Sequence, residues 1–149
     1  MKGKIFNAQE MQSILNGSKT MFREVIKVQP KTNISSNMIS FAEKLLAWSG
    51  GSKCPYQVGQ KIKPKPKSGS IDLQLKLFNT ELLIKEIRVE RLVDIEINDL
   101  KKEGLPEKYD ATCPASWFAK LWNATHKKPE HKFEASPWVW VVEFEVINN

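Results

Sequence analysis

Cysteine and histidine are scarce in this 149-residue chain, with two of each. Cys54 and Cys113 lie far apart, and no CxxC or Cys/His ligand spacing accompanies them, so neither a zinc site nor a disulfide framework is expected. His126 and His131 are separated by Lys127-Lys128-Pro129-Glu130, which reads as a solvated surface loop rather than a metal site. No metal and no cofactor is therefore anticipated. Long hydrophobic runs are missing too: nothing approaches the roughly 20 apolar residues that span a bilayer. The start, Met1-Lys2-Gly3-Lys4-Ile5-Phe6, turns polar at Asn7 before a signal-peptide core can form, so a cytoplasmic location without a membrane partner is expected. GxSxG, P-loop and GxGxxG segments do not occur, which removes the familiar triad hydrolases and nucleoside-triphosphate enzymes.

What is present suits a globular protein. Hydrophobic residues make up 41% and charged residues 27% of the chain, and its length fits one domain, residues 1–149, that buries a core without cross-links. Twenty-three basic residues against 17 acidic ones leave a net charge of +6. Such a field attracts polyanions, with an affinity that falls as salt rises.

Lys4 to Phe6 opens a short strand. An amphipathic helix follows, with Ala8, Met11, Ile14 and Leu15 on one face, Asn7 and Glu10 as a capping pair and Gly17 as its stop. Met21 to Val28 reads as a strand. A second amphipathic pattern, Met38, Phe41, Ala42, Leu45 and Leu46, predicts a helical insertion around 37–49 that ends at Gly50-Gly51. In Lys61-Ile62-Lys63-Pro64-Lys65-Pro66-Lys67, prolines remove backbone donors while lysines recur at every second position, which predicts an extended segment that is not a central strand. Leu73, Leu75 and Leu77 alternate with polar residues as in a half-buried strand. A second strand runs from Leu83 to Ile97, with a hairpin turn at Asn79-Thr80. Asn98 to Gly104 predicts a short helix capped by Asn98, and Ala115 to Thr125 a longer one with Pro114 near its start. The last segment alternates Trp138, Trp140, Val142, Phe144 and Val146 with Val139, Val141, Glu143 and Glu145. This order predicts an α+β fold, with a mixed, mostly antiparallel sheet closed by its terminal strand and helices at its sides.

The chemistry concentrates in Gly17-Ser18-Lys19-Thr20-Met21-Phe22-Arg23. A lysine in such a turn can bind phosphate or, if desolvated, take a proton from a hydroxyl or water; it can also be an ordinary exposed cation. Trp117, Trp122, Trp138 and Trp140 sit on apolar faces and read as core, and Trp48 as a ring that can be exposed.

Ile14-Leu15-Asn16-Gly17-Ser18-Lys19-Thr20-Met21-Phe22-Arg23 resembles the IL-x-G-x-KT-x-x-R signature of ASCH-domain proteins in the PUA-like superfamily. The wider context, Val25 to Pro30, Cys54-Pro55-Tyr56, Arg88 to Leu92, Phe118 to Trp122 and Ser136 to Phe144, resembles a phage and prophage subgroup. The resemblance implies a small β-barrel flanked by helices, with a cleft that serves RNA, other nucleic acid or modified nucleosides. In its amidohydrolase branch, which acts on N4-acetylcytidine, a lysine, a threonine three residues later and a glutamate of a later short helix form the catalytic set. Another branch is associated with ribonuclease activity. Lys19 matches the lysine and Glu103 the glutamate, whereas Phe22 stands where the nucleophilic threonine would be, with Thr20 as the nearby hydroxyl. After Gly59 the subgroup continues with an acidic residue and a tryptophan-containing strand; here lysines replace them, which shifts the expectation toward phosphate contact. The expected binding residues are Lys19, Thr20, Arg23, Lys61, Lys63, Lys65 and Lys67, and the candidate catalytic ones Lys19, Glu103 and Thr20. Binding of nucleic acid or a modified nucleoside is the leading expectation, with hydrolysis through Lys19 and Glu103, or capture of a host protein, as alternatives.

Overall fold

The computed structural model describes residues 1–29, 53–67, 71–109 and 113–148. The helix expected around 37–49 and Trp48 fall outside them. In chain order the elements are β1 (Gly3–Phe6), α1 (Ala8–Leu15), β2 (Met21–Val25), β3 (Lys61–Pro66), α2 (Ile71–Leu77), β4 (Thr80–Arg91), α3 (Ile97–Lys102), α4 (Pro114–Thr125) and β5 (Trp138–Asn148). Short 3-10 turns occupy Leu92–Asp94, Pro129–His131 and Phe133–Ala135. The result is an α+β fold around one five-stranded sheet, order β1-β3-β4-β5-β2. Among the described residues only the β1–β3 pair is parallel.

Local chemistry explains where α1 begins and stops. The Glu10 backbone N–H donates to Asn7 Oδ1 at 2.8 Å and the Asn7 N–H to Glu10 Oε1 at 3.1 Å, a reciprocal cap that satisfies two otherwise orphaned donors. Gly17 then takes φ +85°, a left-handed turn that side chains resist, and this directs the chain into β2.

β5 lies inside the sheet and is buried on both faces over Trp138–Val142. Trp138, Trp140, Val142 and Phe144 join Phe6, Met11, Ile14 and Phe22 in one core, with Leu77 of α2. Val139 and Val141 join Met21, Leu92, Leu100, Phe118 and Trp122 in a second. The sheet therefore divides two apolar layers, α1 and α2 on one side and α3 and α4 on the other.

Several expectations are corrected. β3 is interior, between β1 and β4, despite its prolines. Its pairing with β4 stops after Lys61 and Ile62, before the prolines, while Lys63 and Lys67 donate their backbone N–H groups to Lys2 and Phe6 at the β1 side. Pro64 and Pro66 thus lie beyond the pairing with β4, where no donor is required. Leu73 to Leu77 is helical rather than a strand, because Leu73 and Leu77, four residues apart, meet the core and Leu75 stays exposed. No hairpin forms at Asn79-Thr80; Thr80 opens β4 directly after α2. β4 ends at Arg91 and is bulged between Ile84 and Glu86, so the alternation read through Ile97 breaks into a turn. The residue preceding α3 as its cap is Glu96, not Asn98.

The edges of the sheet are β1 and β2, and no backbone pairing joins them among the described residues. Side chains bridge the seam instead. Lys4 Nζ lies 2.8 Å from Glu24 Oε1 and 5.0 Å above the Phe22 ring, while Phe6 meets Phe22 edge-on at 5.8 Å. Tyr56 adds a hydrogen bond from its hydroxyl to Glu24 Oε1 at 2.8 Å.

Candidate functional site

A cavity of about 330 Å³ opens at this seam, between β1, β2, α1 and α4. Its buried ion pair comes from two segments distant in sequence. Lys19 leaves the Gly17 turn with its backbone N–H on Ser13 O at 2.9 Å, and the next residue, Thr20, donates its N–H to Lys102 O at 2.7 Å. Glu103 closes the C-terminus of α3, where Gly104 turns the chain at φ +108°. A β-bridge between Lys19 and Glu103 then fixes the two side chains face to face.

Lys19 Nζ donates to Glu103 Oε1 at 2.8 Å and to the Glu103 carbonyl at 3.2 Å. The other carboxylate oxygen, Glu103 Oε2, accepts from Arg23 Nη1 at 2.7 Å. Arg23 is wholly buried by its side chain, with Nη2 bonded to Glu90 and 3.3 Å from Asp99 Oδ2. Arg88 completes the network on Asp99 and Glu90, and Glu10 Oε2 stands 4.0 Å from Lys19 Nζ. Burial alone would weaken the Arg23 charge, but Glu103 and Glu90 outweigh it and its pKa lies above the ordinary arginine value. Three cations and four carboxylates are thus interlocked behind the cavity. Arg23 Nε has no hydrogen-bond partner among the described residues.

Part of the lining is aromatic. Trp117, Phe118, Leu121, Trp122 and His126 of α4 and its end border the cavity, and Phe22 borders it from β2. The Trp122 indole is fixed by donating Nε1–H to His131 O at 2.7 Å and by the Phe118 ring at 5.8 Å.

The structure brings Lys19, Arg23 and Glu103 together as neighbours. Thr20 sits beside Lys19 but does not border the cavity; Lys67 does. Lys61 is exposed, and Lys65 lays its stem so close over β1 that a Cβ on Gly3 would come 2.5 Å from its Cε. Lys63 is turned to structural work: Nζ donates to the carbonyls of Leu77, Phe78 and Thr80 at 2.7, 2.6 and 2.9 Å, at the end of α2. Leu77 and Phe78 lie at the C-terminal end of α2, where carbonyls lack intrahelical donors, so Lys63→Met is expected to cost about 1–3 kcal/mol of stability, read as a lower denaturation midpoint.

Sequence reasoning missed Glu90, Asp99 and Arg88, whose pairing with Arg23 depends on β4 and α3 lying beside β2; single positions give no such signal. It also placed His126 in a solvated loop. The residue instead caps α4, donating its N–H to Trp122 O at 3.0 Å, and its ring is half-buried against Trp122. A helical reading extended one residue past Thr125 would have put His126 four positions from Trp122, on the same face. Among the described residues no group of three or more His, Cys, Asp or Glu side chains is placed to hold a metal ion, and no helix is long and apolar enough to cross a membrane.

No family model matches the chain, and no curated protein does. Its fold is shared by solved structures, two of which follow. One is an ASCH domain from Lactobacillus crispatus JV V101, 15% identical, with a TM-score of 0.54 over 99% of this chain and 80% of that one. The other is a DUF984-family protein from Enterococcus faecalis V583, 12% identical, with a TM-score of 0.60 over 99% of this chain and 77% of that one. The chain therefore shares the fold of an ASCH domain.

Proposed function

We propose that the seam cavity binds a nucleobase-sized polar ligand, a modified nucleoside or an unstacked nucleotide of a nucleic-acid strand. The observation that carries this reading is the meeting of aromatic side chains of α4 with the buried Lys19–Glu103 pair in the lining of one cavity of about 330 Å³. That volume is at the lower end of small-molecule sites. A base stacked on an aromatic ring gains about 1–3 kcal/mol whatever its identity. Identity is read at its edge. Lys19 has three N–H donors and gives two to Glu103, which leaves one; each Glu103 oxygen accepts one cation and retains a lone pair. A donor beside an acceptor complements the edge of a pyrimidine that also carries both. The net charge of +6 and Lys67 at the cavity border suit a ligand with attached phosphate. A sheet closed into a barrel across the β1–β2 seam belongs to the same reading.

A hydrolase is the second reading, favoured by one observation: Lys19 and Glu103 converge at a cavity where water can be held. Both oxygens of Glu103 are already bonded to cations, and position 22 has no hydroxyl. Binding therefore ranks first.

The test is titration with cytidine, N4-acetylcytidine and a short single-stranded RNA at low salt, with product analysis. Saturable binding without turnover, weakened about tenfold or more in Lys19→Met, is expected. Turnover abolished by Glu103→Gln would put the hydrolase first. Absence of binding to all three would overturn the nucleoside reading and leave capture of a protein as the alternative.

A further inference from the structure

His126 is held more tightly than a loop histidine needs to be. Its imidazole stacks on the Trp122 indole at 3.7 Å with an interplanar angle of 6°. Nδ1 lies 2.9 Å from the Trp122 carbonyl oxygen and 3.0 Å from Thr125 Oγ1. The Thr125 hydroxyl spends its own proton on the same carbonyl, at 3.1 Å. A carbonyl only accepts, and a hydroxyl that has donated its proton also accepts, so both contacts require the proton on Nδ1. The neutral ring then carries a bare lone pair on Nε2. That nitrogen has no protein partner among the described residues, and the ring borders the cavity.

The other charged groups of the cavity are engaged differently. Lys4 is paired with Glu24, Lys19 with Glu103, and Glu10 accepts at its helix cap. A neutral acceptor fixed on an aromatic platform is what reads an exocyclic amine or a hydroxyl without drawing in a cation.

We propose that His126 is a specificity-determining residue of this cavity, accepting through unprotonated Nε2 a hydrogen bond from an N–H or O–H group of the bound ligand. The assignment rests on the nucleoside reading of the cavity and deepens it. Burial first, then His131 and Lys4, lower the His126 pKa below its ordinary value, against the opposing pull of the Trp122 carbonyl and Glu10. Lys67 adds a further cation at the cavity border. The imidazole is thus neutral near pH 7 and gains an Nε2 proton only in acid. Protonated, it donates where the ligand also donates, so affinity falls as pH falls.

The experiment measures cytidine and N4-acetylcytidine affinity between about pH 7.5 and about pH 5 for the unsubstituted protein, His126→Phe and His126→Gln. Phenylalanine keeps the stack on Trp122 and removes both nitrogens; glutamine restores an acceptor that does not titrate. The expected result is acid-weakened binding in the unsubstituted protein, binding about 3–10-fold weaker and flat with pH in His126→Phe, and partial, pH-independent recovery in His126→Gln. Nitrogen-15 NMR of the imidazole should report the Nδ1–H tautomer at the upper pH. An Nε2–H tautomer, or His126→Phe binding as tightly and with the same pH profile as the unsubstituted protein, overturns the assignment while the nucleoside reading stands. If neither nucleoside binds the unsubstituted protein, the nucleoside reading fails and the assignment falls with it.

Discussion

Arg23→Ala is expected to lower the unfolding free energy by about 3–5 kcal/mol, enough to unfold much of the protein near physiological temperature. The side chain is wholly buried and touches three carboxylates, Glu90, Asp99 and Glu103. Removing it leaves those anions with Lys19 and Arg88 alone and opens a gap between β2, β4 and α3. The penalty comes from stranded charge more than from lost attraction, because desolvation already offsets much of what a buried ion pair contributes. Lys4→Ala provides the contrast. Its partner Glu24 and Lys4 itself are 31% and 22% exposed by their side chains, so about 1 kcal/mol or less is expected. Denaturant midpoints at unchanged slope measure both. An Arg23→Ala protein as stable as Lys4→Ala would mean that the network is wet and not a structural centre.

Phe22→Thr is expected to cost about 3–4 kcal/mol and to confer no hydrolysis of N4-acetylcytidine. The substitution restores the residue type that the ASCH amidohydrolase resemblance places at this position. It also removes a ring that meets Phe6 at 5.8 Å, Tyr56 at 5.3 Å and Phe144 at 6.0 Å. A threonine there would bury a hydroxyl among aromatic carbons and leave a cavity in the main core. Phe22 is thus built into the packing of the seam rather than exchanged in isolation. Acquisition of turnover by this variant with its stability retained would contradict that view.

Much of this was legible from local patterns. The cap at Asn7 and Glu10, the stop at Gly17, Pro114 at the start of α4 and the long alternation of β5 are written in adjacent residues, and they came out as read. Lys19 and Glu103 are paired through resemblance, since nothing in their local sequence says that two residues 84 positions apart meet. What was not legible depends on neighbours. Lysine-proline alternation argues against an interior strand unless one knows that the β4 pairing ends before Pro64. Leucines at every second position read as a strand when, in truth, only Leu73 and Leu77 face the core. His126 read as loop because its partner is a tryptophan one helical turn earlier, a relation visible only once the helix end is fixed. The charges that surround Arg23 lie on β4 and on α3 with its C-cap, and only the tertiary arrangement brings both beside β2.

The nucleoside reading is tested most directly by the indole N–H resonances of the five tryptophans, followed by NMR during titration with cytidine and N4-acetylcytidine. Trp117 and Trp122 border the cavity while Trp138 and Trp140 are sealed in the sheet. The account predicts that the first two shift progressively to saturation while the latter two stay nearly still. Saturating shifts that bypass Trp117 and Trp122, or no shift at any indole at low salt, would contradict it.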